Sequence, residues 1–245
     1  MKHIRRLCQA LACGGIPLLL ALCSPSPGQS PDVRLAAHIA QLAGLGSRVS
    51  GYPGAGTAAD YLEGQLRAQG VDQVYRVPFE VPVPVDEGAG VELAGGEHLP
   101  LHCLWPNLAR TSTLPDEGLT GPLVYAGRAA PGELDHLGLG GSIAVLEYDC
   151  GLNWVEVFDL GAVAALFLAP ADPDRAHRRE GEAKFLSTPA DLPRFYAPES
   201  SSRRLREHLA QGGLQGRLWG RMNWQRAAAQ TIAAILPGSD PELAG

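Results

Sequence analysis

The chain has 245 residues, 45% of them hydrophobic, which is enough for one large domain or two small ones and argues against disorder along the whole length. Its formal charge is -6. The first 23 residues contain three of the 20 basic residues and no acidic one, so the remainder holds 17 basic against 26 acidic residues. This balance argues against nucleic-acid binding, which needs a basic surface.

Residues 1–23 have the layout of a secretory signal peptide, with a basic start followed by a mostly apolar stretch, and residues 24–31 form a linker rich in proline, serine and glycine. Leu20-Ala21-Leu22-Cys23 resembles the lipobox of bacterial lipoproteins, so Cys23 is a candidate lipidation site. Plain cleavage near Gly28 is the alternative. No later stretch reaches the roughly 18 apolar residues of a membrane span. We therefore expect an exported protein that is extracellular, periplasmic or anchored by that lipid.

Two helices and a strand are predicted next. Apolar residues recur with helical spacing from Asp32 to Ala43. A glycine-marked connection leads to a second helix, which ends at Gly70. Val74 to Val83 alternates as a strand does, and Pro78, Pro82 and the adjacent Pro84 place the strand at a sheet edge or make it a crossing segment.

From Asp86 the chain changes to short strands and glycine turns. The predicted strands are Gly90 to Ala94, Leu99 to Leu104, Leu119 to Tyr125, Ser142 to Glu147, Val163 to Leu168 and Leu214 to Trp224, and the predicted helices are Asn153 to Leu160 and Ser201 to Leu209. We predict an α/β protein with α+β pieces. In it, an inserted β-rich domain of residues 86–225 interrupts an outer domain made of residues 32–85 and 226–245.

The last apolar run, Thr231 to Leu236, is predicted as a strand buried on both faces. Such strands belong to parallel sheets whose neighbouring elements come from flanking sequence. The turn Pro237 to Pro241 and four more residues follow. We therefore expect the missing neighbours, and the catalytic residues, to lie downstream of Gly245.

Two groups of residues raise the possibility of a metal site. His98 and His102, with Cys103 adjacent, would share one face of a helix, but Pro100 breaks a helix there and no further ligands can be named. A polar loop or edge strand is the favoured interpretation. Asp172, Asp174 and His177 offer ligands at close spacing, but the turn glycine and distal glutamate of a calcium loop are missing. A solvated loop is favoured for them.

Other motifs are also weak. Gly54 to Ala59 fits the dinucleotide fingerprint, but a strand does not precede it. The sequence contains no Gly-x-Ser-x-Gly elbow, and the four tryptophans are interpreted as packing residues. Cys103 and Cys150 would remain after export, and the sequence leaves open whether they pair. Arg48 is interpreted as a surface charge or carbonyl anchor, not as a substrate contact.

Several segments, taken in order, resemble one protein family. Four segments resemble the N-terminal part of the co-catalytic di-zinc aminopeptidases, a family that includes glutamate carboxypeptidase and the transferrin receptor. They are the helix from Asp32 to Ala43, the connection Leu45 to Gly54, the helix end Leu66 to Gly70 and the strand Val77 to Val81. Three segments resemble the protease-associated domain that many members carry as an insert: Gly121 to Tyr125, Gly141 to Leu146 and Leu160 to Leu168. Ala229 to Glu242 resembles the strand on which the peptidase domain resumes.

The resemblance implies a mechanism in which two zinc ions activate a bridging water and a glutamate acts as general base on a peptide bond. It also implies a His-x-Asp ligand pair shortly after the Pro-Gly turn, and this chain has no His-x-Asp. No catalytic or metal-binding residue is therefore assigned, and zinc is expected only in a longer protein that acts on peptides or proteins. The alternative hypothesis is a non-catalytic binding module built on the protease-associated domain.

Overall fold

The computed structural model describes residues 30–107, 110–170, 178–181, 183–184 and 189–238, and within these ranges it contains five helices and seven strands. The helices are α1 (Pro31–Ala43), α2 (Pro53–Ala68), α3 (Val155–Asp159), α4 (Arg178–Gly181) and α5 (Glu199–Leu209). The strands are β1 (Gln73–Leu93), β2 (His98–Cys103), β3 (Leu119–Gly127), β4 (Ile143–Glu147), β5 (Ala164–Leu168), β6 (Arg194–Ala197) and β7 (Gln215–Ile235).

The strands close into a barrel in the order β1-β2-β6-β5-β4-β3-β7. Three neighbouring pairs are parallel: β3 with β4, β4 with β5, and β5 with β6. The other four neighbouring pairs are antiparallel. Parallel neighbours require crossover connections, and α3 supplies one between β4 and β5. This mixture of helices with a mixed sheet confirms the predicted α/β class with α+β pieces.

β4 and β5 are the strands that are buried on both faces. Ile143 to Leu146 and Ala164 to Leu168 are each 0% exposed. One face of the two strands lines the barrel interior, where it meets Phe195 and Leu218. The other face packs against α3 and Trp154. Burial on both sides explains why both strands are continuous apolar runs in the sequence.

β1 and β7 pair along their whole lengths, from Gln73 opposite Ile235 to Leu93 opposite Gly216. β2 joins β1 only at residues 89–92, and β3 joins β7 only at residues 215–218. Residues 73–84 of β1 and 224–235 of β7 therefore extend from the barrel as a two-stranded ribbon, which we call the ribbon arm. Isolated two-stranded ribbons are marginally stable in water, so the arm depends on what packs against it.

The prediction that Thr231 to Leu236 forms a doubly buried strand is wrong for the described residues. This segment is the end of β7, and it pairs antiparallel with β1 instead of entering a parallel sheet. Ile235 is 50% exposed and Leu236 is 80% exposed. Two of the six residues in this run are alanine, and alanine is compatible with an exposed strand as well as with a buried one.

The sequence predicted β1 and β7 each as two shorter strands, but both are continuous. β1 passes position 86 through a bulge between Asp86 and Gly88. The Asp86 carboxylate accepts hydrogen bonds from the backbone N–H of Gly88 at 3.0 Å and of Cys103 at 3.3 Å. These bonds satisfy donors that the bulge removes from the ladder, so the strand bends without ending.

α1 and α2 match the two predicted helices. Pro53 opens α2, where its missing N–H costs no helical bond, and Gly70 follows the helix with a φ of 81°. Arg76 of the ribbon arm holds α2 by ion pairs to Asp60 at 2.8 Å and to Glu63. α1 has no buried residue, and none of the described helices is long and apolar enough to cross a bilayer.

Candidate functional site

The histidines of the candidate metal group lie on β2 and not on a helix. His98 and His102 point to the outside of the barrel, with 68% and 64% of their side chains exposed, while Cys103 points into the core. Strand alternation therefore separates the cysteine from the two histidines. Within the described ranges, no three His, Cys, Asp or Glu side chains are grouped so that they could hold a metal ion.

Cys103 and Cys150 are both free and buried, so the disulfide that the sequence left open is not formed. They belong to different core clusters, Cys103 inside the barrel and Cys150 beside α3. Burial raises the pKa of Cys103 to about 12 and that of Cys150 to about 11. Both thiols are therefore protonated at neutral pH and are poor nucleophiles.

Several candidates lie outside the described residues: Cys23, Asp172, Asp174 and His177. Both glycines of the dinucleotide-like motif are described, and Gly54 has a packing role. A Cβ added at Gly54 would come within 2.4 Å of the Ser47 carbonyl oxygen. Gly54 thus lets the connection before α2 pack on the first helical turn, and the βα turn that would hold a pyrophosphate is not formed there.

The tryptophans divide into two groups. Trp154 is fully buried beside α3, and Trp105 packs partly buried against the barrel core. Trp219 and Trp224, both on β7, are 40% and 56% exposed. The packing interpretation holds for the first pair, whereas the second pair lies on the protein surface.

The ribbon arm carries an exposed apolar face. Tyr75, Val77 and Phe79 alternate along β1 and therefore share one side of the arm. These three side chains are 49%, 52% and 41% exposed, which is high for large apolar residues. Their cross-strand partners are small or short: Ala233, Thr231 and Ala229. The face is consequently shallow and apolar, and the described residues leave much of it in contact with solvent.

A hollow of about 270 Å³ lies where the arm meets the start of α2. Gly51, Tyr52 and Gly56 line one wall, and Pro78 and Ala229 line the other. The Tyr52 hydroxyl donates to the Pro84 carbonyl, which fixes the connection before α2 to the base of the arm. The lining contains no carboxylate, imidazole, thiol or charged side chain, so the hollow contributes mainly shape.

The outer end of the arm is charged. Hydrogen bonds donated by Arg76, then by Arg67, lower the pKa of Glu63. The bonds that Arg76 donates to Asp60 and Glu63 raise the pKa of Arg76. Arg67 donates to Glu63 at 2.9 Å, so the carboxylate is shared by two guanidinium groups. This exposed network orients α2 on the ribbon and offers no free catalytic group.

The comparisons with known proteins gave structural matches alone: no family model and no curated protein matches the chain. A zinc aminopeptidase from Bacillus subtilis, BSAP, matches with a TM-score of 0.53 and 18% identity over 83% of this chain. A peptidase M28 precursor from Shewanella amazonensis SB2B matches with a TM-score of 0.54 and 18% identity over 80% of this chain. An aminopeptidase from Aneurinibacillus sp. strain AM-1 gives 0.48 and 17% over 84%.

The two matches with TM-scores above 0.5 show a fold shared with peptidase structures. The matches cover 47%, 49% and 48% of those three chains, so this chain spans about half the length of the structures it matches. The likeness to peptidases that the sequence implied is therefore confirmed for the fold alone.

Proposed function

We propose that this chain is the N-terminal part of a secreted zinc-dependent aminopeptidase, and that it supplies scaffold and not catalytic residues. The described residues do not fit a zinc site, so no step of catalysis is assigned to them. In the complete enzyme, two zinc ions held by further sequence would activate the water that attacks the peptide. Peptides or proteins are the proposed substrates, because the matched structures are peptidases.

The exposed apolar face of the ribbon arm is the observation that carries this proposal. A face with Tyr75, Val77 and Phe79 near half exposure is costly to leave in water and is typical of a surface that another unit covers. The matched structures extend over about twice the aligned length. The metal-binding part of the enzyme is therefore the proposed cover, joined to residues 32–85 and 226–245 as one outer domain.

The barrel would then be the inserted unit, residues 86–225, with the character of a protease-associated domain. It has its own interior core, and β1 and β7 connect it to the arm as two adjacent strands. We also propose that residues 1–23 direct export of the protein, with or without a lipid on Cys23. The closed barrel is also compatible with the second candidate function, a non-catalytic binding module. Such a module must fold around its own core, which the barrel has, and it needs no catalytic residues.

The substitution Phe79→Asp tests the cover directly. In the chain alone it should change the free energy of unfolding by less than about 0.5 kcal/mol, since Phe79 is already 41% exposed. In a protein extended through the downstream coding sequence it should abolish cleavage of leucine p-nitroanilide, because a charge would be buried in the interface. Thermal unfolding and the hydrolysis assay measure the two effects.

Leu152→Asp is the matched control, because Leu152 is 56% exposed on the barrel, away from the arm. It should leave both readings unchanged. Equal activity of the Phe79→Asp and Leu152→Asp extended proteins would contradict the proposed interface. An extended protein that has no activity and binds no zinc would contradict the aminopeptidase assignment itself.

A further inference from the structure

A groove of about 590 Å³ crosses the outer face of the barrel where β2, β1 and β7 lie side by side. Gly88 and Gly90 of β1 form its floor, Trp219 of β7 forms one wall, and His98 and His102 of β2 form the other. The groove lies on the barrel and not on the ribbon arm, so the proposed peptidase function makes no use of it.

The two glycines make room for the indole. Gly90 stands directly opposite Trp219 in the ladder. A Cβ at Gly90 would lie 2.8 Å from the indole Nε1, and one at Gly88 would lie 3.5 Å from the six-membered ring. The indole thus extends over the backbone of β1 while 40% of the residue remains exposed. An aromatic ring fixed in this way on a glycine floor offers a preformed stacking surface.

The rim of the groove is polar and carries both signs of charge. Glu92 pairs with Arg217 at 3.1 Å and lies 3.9 Å from His98, and Asp86 lies 3.6 Å from His102. Glu87 also lines the groove, so the lining itself carries two carboxylates and neither lysine nor arginine. A nucleic acid or another polyanionic ligand would find no complementary surface here.

The backbone of the floor has no groups to spare for an extended peptide. Residues 89–92 of β1 pair with β7 on one side and with β2 on the other. A bound strand would need free backbone donors and acceptors at a sheet edge. A suitable ligand must stack on the indole and bond to side chains.

We propose that this groove binds a neutral oligosaccharide. One sugar ring would lie on the indole of Trp219, and hydroxyl groups of the neighbouring rings would bond to His98 and His102, whose ring nitrogens can take part in hydrogen bonds with hydroxyl groups. β2 and β7 are two strand spacings apart, about 10 Å, and the two histidines are about 13 Å apart along β2. This space accommodates two or three rings of a chain.

Isothermal titration and tryptophan fluorescence of the full chain with cellohexaose, maltohexaose and chitohexaose test the proposal. We expect saturable binding of at least one of the three. Trp219→Ala should weaken that binding about tenfold or more, since stacking is lost. Gly90→Val should also weaken it, because the new side chain displaces the indole.

Trp224→Ala is the matched control, because Trp224 is an exposed tryptophan on the same strand that does not line the groove. It should bind as the unaltered chain does, and circular dichroism of all variants should show the same fold. No saturable binding of any of the three sugars, or equal binding by Trp219→Ala, would overturn the proposal. Binding of a proline-rich hexapeptide that Trp219→Ala abolishes, without sugar binding, would overturn it in favour of a peptide site.

Discussion

Arg194 places a guanidinium group in the interior of the protein. It is 1% exposed, its Cζ lies 5.5 Å from the centre of the Trp154 ring, and Nη2 donates to the Trp105 carbonyl at 2.9 Å. Nε and Nη1 have no hydrogen-bond partner among the described residues. Burial lowers the pKa of Arg194 to about 10. A charge that is buried with incomplete hydrogen bonding reduces stability.

We expect Arg194→Met to raise the free energy of unfolding by about 1–3 kcal/mol, because a side chain of similar length then fills the site without a charge. Urea unfolding followed by circular dichroism measures the change. Arg221→Met is the control: Arg221 is 54% exposed and pairs with Asp116, so its effect should stay within about 0.5 kcal/mol. If Arg194→Met loses more stability than the control does, the guanidinium group has the hydrogen-bond partners it needs in solution, and the expectation is wrong.

At the scale of elements, the strands of the barrel were predictable from the sequence. β4 and β5 are continuous apolar runs, and β2 alternates between exposed His98, Pro100 and His102 and buried residues. The short strand β6 was not predicted, since four residues that begin with a buried arginine give neither an alternating nor an apolar signal.

The lengths of β1 and β7 were not predictable, because local sequence marks turns without showing what the partner strand does. Prolines and glycines suggested breaks in both strands. In the structure each strand is the other's partner over 21 residues, and a long-range register of this kind overrides local signals. The same effect explains why Thr231 to Leu236 was assigned to the wrong kind of sheet.

The prolines of the ribbon arm protect its outer edge. Pro78, Pro82 and Pro84 are an even number of residues apart, and β1 stays paired with β7 past all three. Their nitrogens therefore lie on the edge of β1 that faces away from β7. At that edge, the N–H group of any other residue would be an unpaired hydrogen-bond donor. We expect Pro78→Thr/Pro82→Thr to self-associate in sedimentation velocity experiments as concentration rises. Pro131→Thr, in an exposed loop, should remain unchanged, and identical sedimentation of both variants would contradict this role.

For the whole molecule, the barrel and the ribbon arm should differ in stability. The barrel surrounds a buried core, whereas α1 has no buried residue and the arm has exposed apolar side chains. Segments with few buried contacts open first. Limited proteolysis should therefore trim the chain to a core of about residues 86–224, identified by mass spectrometry. Equal resistance of the arm and the barrel would contradict the division into an outer domain and an insert.

The candidate site was predictable in its architecture but not in its surfaces. The order of the segments predicted a likeness to peptidases, and the matched peptidase structures share the mixed α/β fold. The face formed by Tyr75, Val77 and Phe79 could not be identified as exposed, because alternation predicts a strand and leaves open whether the apolar side is covered. The groove at Trp219 was missed for a related reason: it needs three strands whose neighbours are set by barrel closure.

We propose that this polypeptide provides the scaffold of a zinc aminopeptidase whose metal ligands lie in further sequence. The decisive measurement is the coding sequence past codon 245. We expect an open frame with a His-x-Asp pair within about 20 codons, because the resemblance implies the first ligand pair shortly after the Pro-Gly turn. A stop codon immediately after Gly245 would show that this proposal is wrong.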